Sequence, residues 1–265
     1  MRIKIASWNV NSVRIRLESV ARFVHEFAPD VLCLQEIKVT ADRFPGDFFR
    51  ELGFGEVAVN GNRHYHGVAV LSRLPLAGVT HRAWCGKADG RHLQVELPGG
   101  IELHNFYVPS GGDIPDPEQN DKFAHKLDFL AEMAEWFADR ARPDARRVML
   151  GDLNVAPLEV DVWSHKQLLN VVSHTPVEVE ALGRVQASHD WVDGVRHFIP
   201  PPERLYSWWS YRARDWQASD RGRRLDHVWV TPALVPALAA AEIAKAARGW
   251  ERPSDHAPVL VTLDV

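Results

Sequence analysis

Apolar residues along this chain mostly alternate with polar ones or gather in short runs, and only a few stretches carry the 3-4 spacing of a helix. Residues 3–8 are rich in β-formers, and Val13, Leu17, Val20, Ala21 and Val24 then follow helical spacing. Pro29 closes that helix, and Val31, Leu32, Cys33 and Leu34 read as a buried strand. Further strands are expected over residues 57–60, 68–72, 93–97, 101–108, 148–153, 225–230 and 258–263. Loops as short as Pro98-Gly99-Gly100 imply hairpins between antiparallel neighbours. The clearest helix is expected over residues 120–140, where Phe123, Leu127, Leu130, Met133 and Phe137 form an apolar stripe suited to core packing rather than to a cofactor. Mixed sheets with helices packed outside them make a layered α/β architecture.

The balance of 31 Lys and Arg against 35 Asp and Glu over 265 residues gives a net charge of −4, with 46% hydrophobic residues. Together with only two cysteines, Cys33 and Cys85, that composition excludes intrinsic disorder, collagen-like repeats and a disulfide scaffold. Cys33 lies in an apolar run and is expected to pack as a small hydrophobe. No linker, repeat or low-complexity segment interrupts the chain, so a single domain over residues 1–265 is expected. The longest apolar candidate, residues 234–244, is broken by Pro236 and Glu242 and falls short of the roughly 20 residues of a membrane span. Without the apolar core of a signal peptide, the expectation is a cytoplasmic protein with no membrane partner.

Polar residues capable of chemistry recur at strand boundaries. Asn9, Glu36, Tyr107, Asp152 and Asn154 sit at or near strand ends, whereas Asp226 and the Asp255-His256 pair sit at strand starts. Taken singly, each is an ordinary turn or cap residue. In a mixed sheet, however, the ends of some strands and the starts of antiparallel neighbours share an edge, so all of them can meet on one rim. Hard oxygen ligands without cysteine favour Mg²⁺ or Mn²⁺ over zinc, and an Asp–His pair sets the tautomer and charge of an imidazole. Such a set suits hydrolysis of a phosphoester. Neither a Walker-type glycine loop nor a Gly-x-Ser-x-Gly elbow is present.

Six motifs, Ser7-Trp8-Asn9-Val10-Asn11, Leu34-Gln35-Glu36-Ile37-Lys38, Tyr107-Val108-Pro109, Gly151-Asp152-Leu153-Asn154, Arg224-Leu225-Asp226 and Ser254-Asp255-His256, resemble in that order those of the exonuclease III family of apurinic/apyrimidinic endonucleases. The resemblance runs from about residue 2 to residue 264. It implies a four-layered α/β sandwich of two mixed β-sheets flanked by helices, acting with Mg²⁺ on double-stranded DNA with abasic sites or blocked 3′ ends. The implied reaction is hydrolysis of the phosphodiester 5′ to an abasic site, with 3′-to-5′ exonuclease and 3′-end trimming activity, by a monomer. On this resemblance Glu36 is the principal metal ligand, with Asn9 and Asp255 close to the metal. Asp152 orients and deprotonates the attacking water, Asn154 positions it, and His256 contacts the scissile phosphate with Asp226 as its carboxylate partner. Tyr107 lies beside the phosphate, near the leaving group. The chain departs from the family where Ser110 replaces a common amide residue and Asp113 replaces a basic residue found in some members. Ser110 can still donate one hydrogen bond to DNA, whereas Asp113 would repel a phosphate backbone that it faced.

Between Glu203 and Arg224 the chain holds Tyr206, Trp208, Trp209, Tyr211 and Trp216 among Arg204, Arg212, Arg214, Arg221, Arg223 and Arg224. Guanidinium and aromatic groups interleaved in this way suit phosphate contact plus stacking, or else plain core packing. Given the resemblance, Trp208 is expected to wall a pocket for the abasic sugar and Arg212 and Asn11 to touch DNA, while Trp209, its neighbour on a strand, should face the opposite way and pack inward. Lys38 reads equally as a DNA-backbone contact or a solvated lysine. His64 and His66 have the spacing of two ligands on one strand face, but no third ligand is nearby and a DNA-facing or solvated loop is favoured. His227 imitates the Asp255-His256 pair, yet on a strand it should face away from Asp226 and pack. Competing functions are a phosphodiesterase of the same superfamily acting on a lipid or inositol phosphate, and a non-catalytic DNA-binding module. The first lacks a lipid-inserting segment, and the second would be expected to lack parts of an acidic set that is complete here.

Overall fold

The computed structural model describes residues 1–62, 65–213 and 215–265. In chain order its elements begin with β1 (Arg2–Asn9), α1 (Leu17–Phe27), β2 (Val31–Gln35), α2 (Gly46–Glu51), β3 (Glu56–Asn60) and β4 (Val68–Ser72). Next come β5 (Ala77–Thr80), β6 (His92–Leu97), β7 (Ile101–Tyr107), α3 (Asp121–Ala138) and β8 (Arg147–Asp152). After them lie α4 (His165–Leu168), α5 (Pro176–Ala187), β9 (Val192–Asp193), β10 (Trp208–Trp209), α6 (Trp216–Ser219), β11 (Gly222–Arg223), β12 (Asp226–Val230), β13 (Leu238–Ile243) and β14 (Val259–Asp264). Two six-stranded mixed sheets result, ordered β13-β14-β1-β2-β4-β3 and β5-β6-β7-β8-β12-β9, with β10 and β11 forming a separate ribbon.

Side-chain alternation along the strands makes the layers. On β1, Ile3 and Ile5 join Val31, Cys33, Val68 and Val70 in the core between the sheets, facing Leu103, Val148, Leu150 and Val228 of the other sheet. Ala6 and Trp8 point the opposite way, onto Val20, Phe23 and Val24 of α1 and Phe49 of α2. On the second sheet, Phe106, Met149 and Trp229 pack outward against Phe129, Leu130, Met133 and Phe137 of α3 and Ala181, Leu182 and Val185 of α5. Helices, sheet, sheet and helices give the four-layered α/β sandwich that the resemblance implied. A polar pin crosses the middle of it. Gln35 Nε2 donates to Asn105 Oδ1 at 2.7 Å, and Asn105 Nδ2 donates to the carbonyls of Leu34 and Ala69 at 3.1 and 2.9 Å. These bonds penalise any slip of one sheet over the other, because a slip would leave buried amides unpaired.

Each expected strand forms within two residues of its predicted ends, and the helix expected over 120–140 forms as Asp121–Ala138, with the Asn120 side chain accepting from Lys122 N. Its stripe differs in one member: Phe129 is buried, whereas Leu127 is only partly so. Cys33, Trp209 and His227 are buried, as expected of packing residues. Among the described residues, no helix is long and apolar enough to cross a membrane.

Candidate active site

The strand register builds the rim. Asp152, the last residue of β8, pairs with Tyr107 of β7 on one side and with Asp226 of β12 on the other. In the first sheet Asn9 ends β1 opposite Gln35, so Glu36 follows directly beside it. The ribbon locks onto the segment before β14: Trp209 N donates to Asp255 O at 2.9 Å and Ala257 N to Ser207 O at 2.7 Å. Just before Asp152, Gly151 adopts φ +135°, and a Cβ there would lie 1.9 Å from the Phe106 carbonyl oxygen. Only glycine lets β8 run that close to β7 at this point. Asn11, Glu36, Lys38 and Asn154 all hold left-handed φ values between 43° and 55°. Such backbone is uncommon for non-glycine residues; seven other described residues adopt it too, but here it aims four side chains at one place.

All the residues expected to be catalytic or metal-binding meet there. Asn9 Nδ2 donates to Glu36 Oε1 and to Asp152 Oδ2, each at 2.9 Å, and so ties the two sheets' carboxylates together. Asp152 also accepts from the backbone and side-chain nitrogens of Asn154 at 3.0 and 3.1 Å. His256 Nδ1 lies 2.8 Å from Asp226 Oδ2, while its Nε2 lies 3.8 Å from Asp152 Oδ2. Asp255 accepts from Asn11 Nδ2 at 3.1 Å and from Trp208 Nε1 at 3.0 Å. Lys38 Nζ reaches Glu36 Oε2 at 2.9 Å and Asn11 Oδ1 at 2.5 Å, so it belongs to the cluster rather than to solvent.

Burial and charge set the proton affinities. Burial alone would push the His256 imidazole down, but the carboxylates of Asp226, Asp152 and Asp255 outweigh it and raise the pKa to about 10. Asp152 is raised from its usual range, first by burial and then by Asp226 and Glu36, although His256 pulls it the other way. Burial, with Glu36 and Asp152, drives the Tyr107 phenol well above its ordinary value. Asp255 stays below the usual carboxylate range, because the His256 charge overcomes its burial.

Asp152, Asp226 and His256 place ligand atoms within 4.8 Å of one another. A protonated His256 repels a cation, which weighs against a metal within that trio and in favour of one beside Glu36. A metal fits there on charge grounds. Four carboxylates, Glu36, Asp152, Asp226 and Asp255, face two cations, Lys38 and His256, which leaves room for a divalent ion among oxygen donors.

Ser110, Arg212, Trp208 and Asp113 line one cavity of about 790 Å³ that also reaches Asp152 and His256. His66 instead pairs with Arg91 and Asp89, while His64 and Arg214 lie outside the described residues. Sequence reading missed Ser207, whose Oγ donates to Asp226 Oδ2 at 2.6 Å, and Arg91, which holds the Tyr107 carbonyl at 3.2 Å. It also missed Lys126, whose ammonium, buried in the face of α3, bonds the Asn154 carbonyl at 2.7 Å and pairs with Glu178. A lysine three residues after Phe123, within the expected stripe, was the signal for it.

A family model described as the endonuclease/exonuclease/phosphatase family matches residues 6–256. The chain belongs to this family. Within it, the chain is 27% identical to exodeoxyribonuclease III from Haemophilus influenzae over 97% of this chain and 98% of that one. Its fold is similar to an AP endonuclease from Archaeoglobus fulgidus, with TM-score 0.92 and 31% identity over 99% of this chain and 100% of that one. It is also similar to a 3′ phosphatase from Neisseria bound to a product DNA hairpin, with TM-score 0.90 and 30% identity over the same shares. These similarities place it in the exonuclease III branch, as an enzyme that cleaves by hydrolysis.

Proposed function

We propose that this exonuclease III family member is a DNA repair nuclease that hydrolyses the phosphodiester 5′ to an abasic site, using Mg²⁺ or Mn²⁺, and that it also trims 3′ ends. On this reading, residues 1–265 act as one domain and as a monomer in a reducing cytoplasm, where Cys33 and Cys85 are free thiols. The observation that carries the proposal is the buried Asp226–His256 pair beside Asp152, opening into a cavity walled by Trp208. Asp152, with both oxygens held by Asn9 and Asn154, orients a water and takes its proton, for which its raised proton affinity equips it. His256, charged and oriented through Nδ1, presents Nε2–H to a phosphoryl oxygen as negative charge builds there. Tyr107 keeps its proton and offers it to the departing 3′ oxygen. Glu36, with Asn9 and Asp255 nearby, would hold the divalent ion, which supplies charge neutralisation at the phosphate when bound.

Asp152→Asn should lower turnover on a duplex with one tetrahydrofuran abasic analogue by roughly a thousandfold, while DNA affinity stays within about threefold. Wild type should leave a 3′-hydroxyl and stop in EDTA. Full activity in excess EDTA, or near-native turnover by Asp152→Asn at saturating DNA, would overturn the reading.

A further inference from the structure

Two cavities, of about 790 and about 630 Å³, meet at the cluster and share Glu36, Tyr107 and Ser110 in their walls. On the nuclease reading, a phosphodiester held at that junction would find room for one ester arm in each. The larger cavity runs past Asp152 and His256 to Trp208, and its wall carries Arg223.

Neighbouring arginines behave differently here. Arg224 is fully buried in a network with Asp161 and Asp193, its Nη2 lying 2.5 Å from Asp193 Oδ2. Arg223, facing the other way, has no carboxylate partner among the described residues. Its Nη1 donates to the Val172 carbonyl and to Ser173 Oγ, both at 2.8 Å, and its guanidinium carbon lies 5.2 Å from the Trp208 ring centroid. One nitrogen and one face of the fork are thus committed, which fixes its direction, while Nε and Nη2 are left for another partner. Burial presses its pKa down, opposed by the Glu178 carboxylate, which is itself taken up by Lys126, Ser173 N and Thr175. Arg221 stands on the same wall, over the Trp163 ring at 4.7 Å. The carboxylates lining this cavity are those of the catalytic cluster and Asp113, beside Gly112.

Building on the nuclease reading, we propose that Arg223 is a specificity-determining residue. It pairs with a carboxylate carried on the ester arm beyond the scissile phosphate, the glycolate of a 3′-phosphoglycolate strand end being the smallest such arm. In that reaction the water oxygen bonds to phosphorus and the bond between phosphorus and O3′ breaks. One water proton ends on O3′, leaving a 3′-hydroxyl on the DNA. The other leaves through Asp152, and phosphoglycolate departs with its carboxylate unchanged.

The test compares kcat/KM on gapped duplexes whose 3′ end is either a phosphoglycolate or its neutral analogue, a 2-hydroxyethyl phosphate ester. Wild type, Arg223→Gln and Arg223→Lys are measured on both. Wild type should favour the glycolate end by roughly tenfold or more, as a charge-assisted pair would. Arg223→Gln, which removes the charge, should bring the ratio to within about twofold of one, while Arg223→Lys, which keeps it without the fork, should retain part of the preference. A wild-type ratio at or below one, or a Gln variant that keeps the full ratio, overturns the proposal. Wild type is also tested on the tetrahydrofuran duplex; no cleavage there would strike the nuclease reading itself, whereas cleavage there with a ratio of one strikes only Arg223.

Discussion

His227 and His256 each follow an aspartate in the sequence and each is almost fully buried, yet they end in opposite charge states. His227 lies on β12 in the layer that faces the helices, against Trp229 at 5.6 Å, with Nε2 2.9 Å from the Val155 carbonyl. Burial, with Arg224 adding to it, holds its pKa down to about 4. His92, His104, His174 and His189 are lowered in the same way, first by burial. His256 is raised to about 10, because the strand ends deliver Asp226, Asp152 and Asp255 to it. Burial is common to both places, so it does not mark function. What differs is that the rim gathers three carboxylates around one imidazole, whereas in the helix-facing layer a histidine meets at most one close carboxylate, as His104 meets Glu102, and arginines such as Arg147 and Arg224 offset it.

The strongest way to break this contrast is Asp226→Asn, which removes the nearest charge that keeps His256 protonated. Cleavage should fall by roughly 10²- to 10⁴-fold, the usual range for a displaced acid–base partner, and a loss under threefold would show that His256 does not depend on Asp226. Next in size is the acid sensitivity contributed by His227. Between about pH 6.5 and about pH 4 the unfolded chain takes up a proton that folded His227 refuses, so stability falls as pH falls through that window, by on the order of 3 kcal/mol. His227→Gln, which can still donate to the Val155 carbonyl, should lose less unfolding free energy than wild type between pH 6.5 and pH 4.5 in urea melts. Equal losses would contradict the assignment. His256 has the opposite sign: its contribution is present below about pH 6.5 and fades as pH rises toward 10. The smallest effect concerns the pocket wall. Trp208→Ala should blunt the preference for abasic over intact DNA by about tenfold, since stacking on an aromatic is worth about 1 to 3 kcal/mol. Trp208→Phe keeps the wall but drops the Nε1 bond to Asp255, so it should retain the preference if the ring face is what discriminates.

Strand ends were legible in the sequence because the chemistry sits where apolar alternation stops: Asn9, Glu36, Asp152 and Asp226 each lie at or next to the last or first residue of a β run. His227 was legible for the same reason, since alternation alone turns it away from Asp226. Less was visible where local pattern and tertiary role part company. β13 is rich in alanine, a better helix former than strand former, and only pairing with β14 makes it a strand. β5 is exposed throughout and shows no apolar alternation. Helix α5 did carry a signal, the Thr175–Glu178 capping box with Pro176 at the first turn. The Trp208–Asp255 bond and the Ser207–Asp226 bond join residues 47 and 19 apart, and no spacing rule reveals either.

Asp226, Asp152 and Asp255 keep one buried imidazole charged, while a second buried imidazole, next to Asp226 in the chain, stays neutral. Ring-nitrogen NMR of the metal-free protein, with His256 and His227 assigned through His256→Asn and His227→Gln, tests it directly. His256 should remain doubly protonated from pH 6 to pH 8, while His227 should remain a neutral tautomer over the same range. A His256 signal that titrates near pH 6.5, or a His227 signal that is charged at pH 6, would contradict it.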